Sequence, residues 1–199
     1  IAVVAPEFDI EVVTGTDLTS LSIVTDLSGS TRRMIADNLF FAISDTGTNF
    51  QLIGILKQAG SSLDFDFTAL DGGISAGQIE VLGGSVALAS NSSSINDGGF
   101  SPGIISAGGN VTLSAASGVG AGSSNPFSIV AANLEASGGT GDVFVSNSGD
   151  LTIGGIGATN GVSTTNSEIN IATTGALTVS ESVSSTGGDV VLTASNGVT

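Results

Sequence analysis

Apolar and polar residues alternate in short bursts along the second half of the chain. The bursts fall at residues 86–88, 111–113, 143–145, 151–153, 169–171, 177–179 and 190–192. A period of two places every second side chain on the same face of a β-strand. Gly, Asn, Ser or Asp bounds each burst, and these residues adopt the backbone angles that turns require. The pattern therefore predicts short strands with one buried face.

The bursts also repeat at a nearly constant spacing. Superposing residues 141–154 on residues 167–180 aligns Val143 with Ile169, and Val86 and Val111 are separated by almost the same offset. The phrase "GG-D/N-V-x-L-x-A" occurs at 108–115 and at 187–194, and we expect both copies to be rungs of a stack. Such self-similarity is typical of solenoids, in which each coil buries its apolar face on the next. The sequence predicts an all-β fold, a right-handed parallel β-helix (β-solenoid), with a β-sandwich as the alternative.

The first part of the chain follows a less regular pattern. Six of the nine Phe residues lie before residue 68, in longer stretches such as "FDIEVV" and "LDFDFTAL". We expect residues 1–75 to form an irregular β-rich N-terminal or capping region and residues 76–199 to form the solenoid repeats. A cap is expected on physical grounds because the open end of a solenoid exposes unpaired backbone groups.

The charge and the missing residue types narrow the function. Three Lys and Arg residues face 18 Asp and Glu, giving a net charge of −15, and no basic residue follows Lys57. Such a surface repels nucleic acid because little is available to neutralise phosphates. The chain has no Cys and no His, which removes thiolate metal sites and the usual general base. No apolar run is long enough to span a membrane, and we expect no catalytic residues.

Calcium is the cofactor that the turns could hold. Asp45 and Asn49 lie at alternate positions of "SDTGTN", which partly resembles an oxygen-ligand loop but lacks the later glutamate of an EF-hand. Asp142 ends "GGTGD", which is close to the glycine-rich calcium turn of β-rolls. The competing interpretation is that Gly and Asp serve the backbone geometry of the turns.

Asp64 and Asp66 form a candidate catalytic pair. Two positions apart on a strand, their carboxylates share one face at a separation of about 7 Å, and glycosidases use carboxylates at such distances. They alternate, however, with Phe65 and Phe67. This alternation favours a solvated face opposite a buried one.

Residues 80–199 resemble the repetitive regions of filamentous-haemagglutinin-like proteins, the large secreted adhesins of Gram-negative bacteria. The resemblance lies in the repeated "GG-D/N-V-x-L-x-A" phrase, the "NPFSI" step at 125–129 and "TTGALTV" at 173–179. It implies a parallel β-helix that is secreted or displayed on the cell surface of a Gram-negative-type bacterium. It also implies a role in adhesion or matrix building, with surface glycans as candidate partners.

These observations predict a non-enzymatic structural or adhesive protein that forms part of a fibre, a sheath or an adhesin stalk. We expect its coils to stack on other copies of itself or on a continuation of the same polypeptide. One alternative is a carbohydrate-active β-helix enzyme, either a lyase or a hydrolase. Another is a filament subunit that assembles by strand addition.

Overall fold

The computed structural model describes residues 2–4, 10–13, 20–25, 31–36, 39–45, 49–57, 64–81, 83–98, 104–157 and 161–199. Every regular element within these ranges is a β-strand. The strands are β1 (Ala2–Val4), β2 (Ile10–Val13), β3 (Ser20–Thr25), β4 (Thr31–Ala36), β5 (Leu39–Asp45), β6 (Asn49–Lys57), β7 (Asp64–Ala69), β8 (Gly73–Ala76), β9 (Ile79–Glu80), β10 (Val86–Ser90), β11 (Ile95–Asp97), β12 (Ile104–Ala115), β13 (Phe127–Ser137), β14 (Val143–Asn147), β15 (Leu151–Ile153), β16 (Val162–Thr164), β17 (Ile169–Thr173), β18 (Leu177–Val179), β19 (Val183–Ser185) and β20 (Val190–Ala194).

Most strands stack in parallel ladders that build a β-solenoid of about 6 turns. The first ladder joins β3, β7, β10, β12 and β13. The second runs from β6 through β8 and β11, continues through Val119, and then includes β14, β17 and β20. Beyond β13, β15 pairs with β18, and β16 pairs with β19. The prediction of a β-solenoid is confirmed, and the parallel register excludes the β-sandwich, whose sheets are antiparallel.

The N-terminal part is less regular, as the sequence predicted. β4 pairs antiparallel with β5, and β5 pairs antiparallel with β6, with a register shift between Phe41 and Ile43. β6 then joins the parallel stack by pairing with β8. The parallel pairing of β3 with β7 and of β7 with β10 is continuous with the later coils. The domain boundary near residue 75 stays a prediction.

The register of the ladders reproduces the spacing that the sequence shows. Val143 pairs with Ile169, and Val86 pairs with Val111, as the superposed sequences predicted. The next coil is shorter, since Ile169 pairs in turn with Val190. The number of residues per coil therefore varies, but in both coils inward residues pair with inward residues.

The two copies of the repeated phrase are rungs on different sides of the solenoid. Residues 111–115 lie in the first ladder, between β10 and β13. Residues 190–194 form β20 of the second ladder, next to β17. The phrase encodes one strand and its glycine corner, and any side of a coil can use that unit. The likeness between the copies therefore did not indicate which residues stack on each other.

The core is a column of inward apolar side chains. Phe50 and Phe67 meet edge to face, with ring centroids 5.5 Å apart and an interplanar angle of 72°. Smaller aliphatic side chains fill the later coils, including Val86, Val111 and Ile169, all buried. Alternate burial along β7, β10 and β17 gives each strand one inward face. This matches the period of two in the sequence.

One loop leaves the second ladder between Val119 and Phe127. Val119 pairs with Val143, and Phe127 pairs only two positions further along β14. Residues 120–126 are therefore extruded from an otherwise continuous side of the coil. Gly120, with a φ of +78°, begins this loop, and a Cβ there would lie 2.4 Å from the Phe144 backbone oxygen.

A second loop leaves the other side, between Ile153 and Val162. These residues pair with Leu134 and Ala136, which are only two positions apart on β13. Residues 154–157, which follow Ile153, are therefore extruded as well. In the next coil only three residues connect β18 to β19. The extra residues of the loop make the step from Val143 to Ile169 longer than the step from Ile169 to Val190.

Candidate functional site at the coil corners and the extruded loop

The corner at 138–142, proposed from the sequence as a calcium turn, links two coils through hydrogen bonds. The exposed carboxylate of Asp142 accepts the backbone N–H of Glu168 through Oδ1 at 2.7 Å. The backbone oxygen of Gly139 accepts the N–H of Thr165 at 2.8 Å and the hydroxyl of Thr164 at 3.2 Å. Oxygens of this turn therefore bind donors of the following coil. Calcium at Asp142 stays a prediction.

Two other aspartates also accept a backbone N–H of the next coil. Oδ1 of Asp64 accepts the N–H of Ser85 at 2.9 Å, and Oδ1 of Asp150 accepts the N–H of Ala176 at 2.8 Å. In each case the acceptor stands at or just before a strand, and the donor precedes the strand that stacks on it. Hydrogen bonds to a charged acceptor are among the stronger ones in proteins. An aspartate at this position therefore fastens its corner to the next rung.

Acidic residues also align along one corner of the solenoid. Asp142, Glu168 and Asp189 immediately precede β14, β17 and β20, which pair in register. Within the described ranges, however, no group of three or more acidic residues is arranged to hold a metal ion. The alignment follows from the stacking of equivalent corner positions.

The other calcium candidates lie far from Asp142 along the axis. Asp45 ends β5 and Asn49 begins β6. Asn49 precedes Phe50, and four rung steps connect Phe50 to Val143. At 4.8 Å per rung this is about 19 Å, too far for one ion to bridge. The side chains of Asp45 and Asn49 lie outside the described residues, so a calcium site there stays a prediction.

Asp64 and Asp66 share the outward face of β7. Both are exposed. Phe65, which lies between them, and Phe67, which follows Asp66, are at most 1% exposed. The predicted split into a solvated and a buried face is confirmed. Asp64 is already engaged with the neighbouring coil through Ser85.

A glutamate that the alternation places outward is completely buried. Glu135 lies between the inward residues Leu134 and Ala136 of β13, yet its exposure is 0%. The start of the second extruded loop, at 154–157, covers it. Oε1 of Glu135 accepts the N–H of Ile156 at 2.8 Å and the N–H of Gly157 at 2.7 Å. Two consecutive backbone donors of the loop are thereby satisfied by one carboxylate.

A second glutamate holds the same loop from the other side. Oε1 of Glu181 accepts the N–H of Gly155 at 3.0 Å. Its Oε2 is buried and has no hydrogen-bond partner among the residues that the structure describes. Gly154 and Gly155 adopt φ values of +98° and +81°, which favour glycine. Glu135 and Glu181 together fix the loop at 154–157 to the solenoid through three consecutive amides.

Sequence reasoning missed this clamp. The available signal was "GGIG" inside a coil that is longer than its neighbours, which indicates an insertion with left-handed backbone. The pairing of a given glutamate with that insertion depends on the rung register. A local pattern does not encode it.

A polar site also lies inside the solenoid. Asn147 is 1% exposed and occupies an inward position of β14. Its Oδ1 accepts the N–H of Ala131 at 3.0 Å. Its Nδ2 lies 3.2 Å from Gly149 O, from Asp150 O and from Thr173 Oγ1. The asparagine therefore ties its own corner to the coils on both sides.

The sites of the described residues thus consist of side chains that bind neighbouring coils. In the same part of the chain, no helix has the length and apolar character needed to cross a bilayer. Comparisons with protein-family models, with curated proteins and with solved structures gave no match.

Proposed function

We propose that this chain is a non-enzymatic structural segment, the shaft of an extracellular or cell-surface fibre, sheath or adhesin stalk. The observation that carries the proposal is the hydrogen-bonded stacking of the described coils, at the strands and again at the corners. The resemblance of residues 80–199 to filamentous-haemagglutinin-like repeats supports an origin in a secreted adhesin. Surface glycans are the proposed partners of such a stalk.

The stacking suits a shaft that carries load. Between the last two coils, β17 pairs with β20 over five residues and β16 with β19 over three. Leu177 also pairs with Val198. Because these ladders lie side by side at one rung interface, axial force must break them together. Asp142 adds a further bond at the corner below. Resistance to extension is therefore distributed over each whole rung.

The last described rung supports growth of the stack. Val190 is 43% exposed and Val198 is 47% exposed, whereas Ile169 and Leu177, their partners one rung below, are 0% exposed. These apolar side chains present the surface on which a further rung packs. The proposed occupant is a coil of another copy, added as a strand along β20.

A stacking assay tests the proposal. The chain is purified, its mass is measured by light scattering over a concentration series, and the particles are imaged by electron microscopy. We expect rods that lengthen with concentration, and we expect V190K with V198K to stop the lengthening. T152K, on an outward side position of β15, is the matched control and should leave it unchanged. Lengthening that T152K abolishes and the end variants do not would contradict the proposal.

The alternative of a carbohydrate-active enzyme is supported by the two exposed carboxylates on β7. Its test is release of reducing ends from neutral and acidic polysaccharides. Cleavage that D66N abolishes would replace the structural proposal by the enzymatic one.

A further inference from the structure

The turn at Asn196 joins an asparagine to a glycine. In such a pair the backbone nitrogen of the glycine can attack the side-chain carbonyl carbon of the asparagine. The reaction requires space around the glycine and a side chain and amide that are not held by other bonds. Glycine favours it because no Cβ hinders the approach. Asparagine is accordingly one of the thermolabile residues of proteins.

The fold leaves both reacting groups accessible. Asn196 and Gly197 are exposed. Gly197 has a φ of +100°, and no heavy atom lies within 4 Å of the position that a Cβ would take. Among the described residues, neither the Asn196 side chain nor the Gly197 N–H has a hydrogen-bond partner. The backbone N–H of Asn196 itself is fixed, donating to Gly175 O at 3.1 Å.

Three other asparagines of the solenoid make side-chain hydrogen bonds. Asn147 is buried, and both of its amide heavy atoms are engaged. Asn166 accepts the Thr186 hydroxyl at 3.3 Å, and Asn170 donates to Glu168 at 3.4 Å. None of these three is followed by glycine. Asn160, which precedes Gly161, lies outside the described residues.

We propose that Asn196 is a modification site, at which spontaneous deamidation forms aspartate and isoaspartate. The Gly197 nitrogen gives up its proton to solvent and bonds to Cγ of Asn196, and ammonia leaves. The resulting succinimide is opened by water at one of its two carbonyls. Attack of water at Cγ breaks the Cγ–N bond, restores the normal main chain and gives aspartate. Attack at the main-chain carbonyl breaks that C–N bond instead and gives isoaspartate. This inference concerns the rung as it stands in the single chain, and it does not use the proposed shaft function.

Isoaspartate changes the rung that follows it. It routes the main chain through the side-chain carbon, which adds one methylene before Gly197. The segment beyond is held by Leu177 N–H to Gly197 O at 3.0 Å, Thr199 N–H to Leu177 O at 2.9 Å and Val179 N–H to Thr199 O at 2.8 Å. A longer backbone shifts the Gly197 and Thr199 groups that make these bonds out of register. Deamidation therefore loosens the contact of residues 197–199 with β18.

The test is a timed incubation of the full chain at mildly alkaline pH, followed by peptide mapping with fragmentation that distinguishes isoaspartate. We expect the peptide containing Asn196 to gain about 1 Da, the difference between an amide and an acid. In the modified fraction, hydrogen exchange at the Leu177 and Val179 amides should lose its protection. N196Q should lose the mass gain in this peptide, while N166Q should keep it.

Two results would overturn the proposal. One is a sample in which Asn160 is modified, or no asparagine is, while Asn196 stays intact. The other is an isoaspartate fraction at Asn196 in which the Leu177 and Val179 amides exchange as slowly as in fresh protein.

Discussion

Replacing Asn147 by alanine should weaken the middle of the solenoid far more than its size suggests. The substitution removes the acceptor of the Ala131 N–H, a buried hydrogen bond of 3.0 Å. An orphaned buried donor costs about 1–3 kcal/mol. The contacts of Nδ2 with the oxygens of Gly149 and Asp150 are lost as well, at a net cost of about 0.5–1.5 kcal/mol for each bond made. The total expected loss is about 2–6 kcal/mol.

The matched control is Asn170, which lies in the next coil on the outward face of β17. It is half-buried and makes one long contact, 3.4 Å, with Glu168. N170A should therefore change stability by less than about 0.5 kcal/mol. N147D is a second test, because an aspartate keeps the acceptor for Ala131 but turns an oxygen toward two backbone oxygens. We expect it to be destabilised like N147A.

The assay must be local, since coils of a repeat protein need not unfold together. Denaturant titration followed by far-ultraviolet circular dichroism gives the overall loss, because the chain has no Trp or Tyr for fluorescence. Native-state hydrogen exchange then reports on the Ala131 amide. If N147A and N170A lost equal stability while the Ala131 amide stayed protected, the reasoning about this buried bond would be refuted.

Three further substitutions test other contacts. L177D should unfold the last coils, because it buries an unpaired carboxylate at a cost of several kcal/mol, and T178D on the outward face should not; thermal melts that move equally would contradict the face assignment. G188A should destabilise the fold strongly, since the new Cβ would lie 2.1 Å from the backbone oxygen of Ser167. G187A should cost less, because the nearest atom, at 2.6 Å, is the terminal Oδ1 of the Asn166 side chain, which can move. Chemical denaturation compares the free energies of unfolding of the two variants. E135A should expose the loop amides at 156 and 157 to hydrogen exchange while E135Q, which keeps an acceptor oxygen, largely protects them; equal exchange in both would contradict the clamp.

The strands could be predicted from the sequence because each coil repeats one requirement. An inward residue at every second position is buried against the rungs above and below. Alternation within a strand and the spacing between coils therefore both identify the same inward residues. That is why the pairing of Val143 with Ile169 was predicted correctly. Alternation does not distinguish parallel from antiparallel neighbours, so the antiparallel arrangement of β4, β5 and β6 had no signal of its own.

The sites were harder to predict because they join residues of different coils. The turn that ends at Asp142 suggested a calcium ligand, which stays a prediction. Its carboxylate also accepts the amide of Glu168 in the following coil, and the sequence pattern did not indicate this contact. Glu135 occupies an outward position that alternation assigns to solvent, and an extruded loop covers it. In both cases the partner lies in another coil, and the stacking register of the coils determines which residue it is. A sequence pattern within one coil does not reveal that register.

The extruded loops show that residues can be added to a coil without changing the axial height of the stack. The loops that follow Val119 and Ile153 lengthen their coils, yet the strands on either side stay in register. Each rung adds the same axial rise, about 4.8 Å, both in the longer coil from Val143 to Ile169 and in the shorter one from Ile169 to Val190. Insertions and deletions at these two points therefore do not change the length of the rod. Such a chain can acquire new surface loops during evolution without changing the distance that it spans.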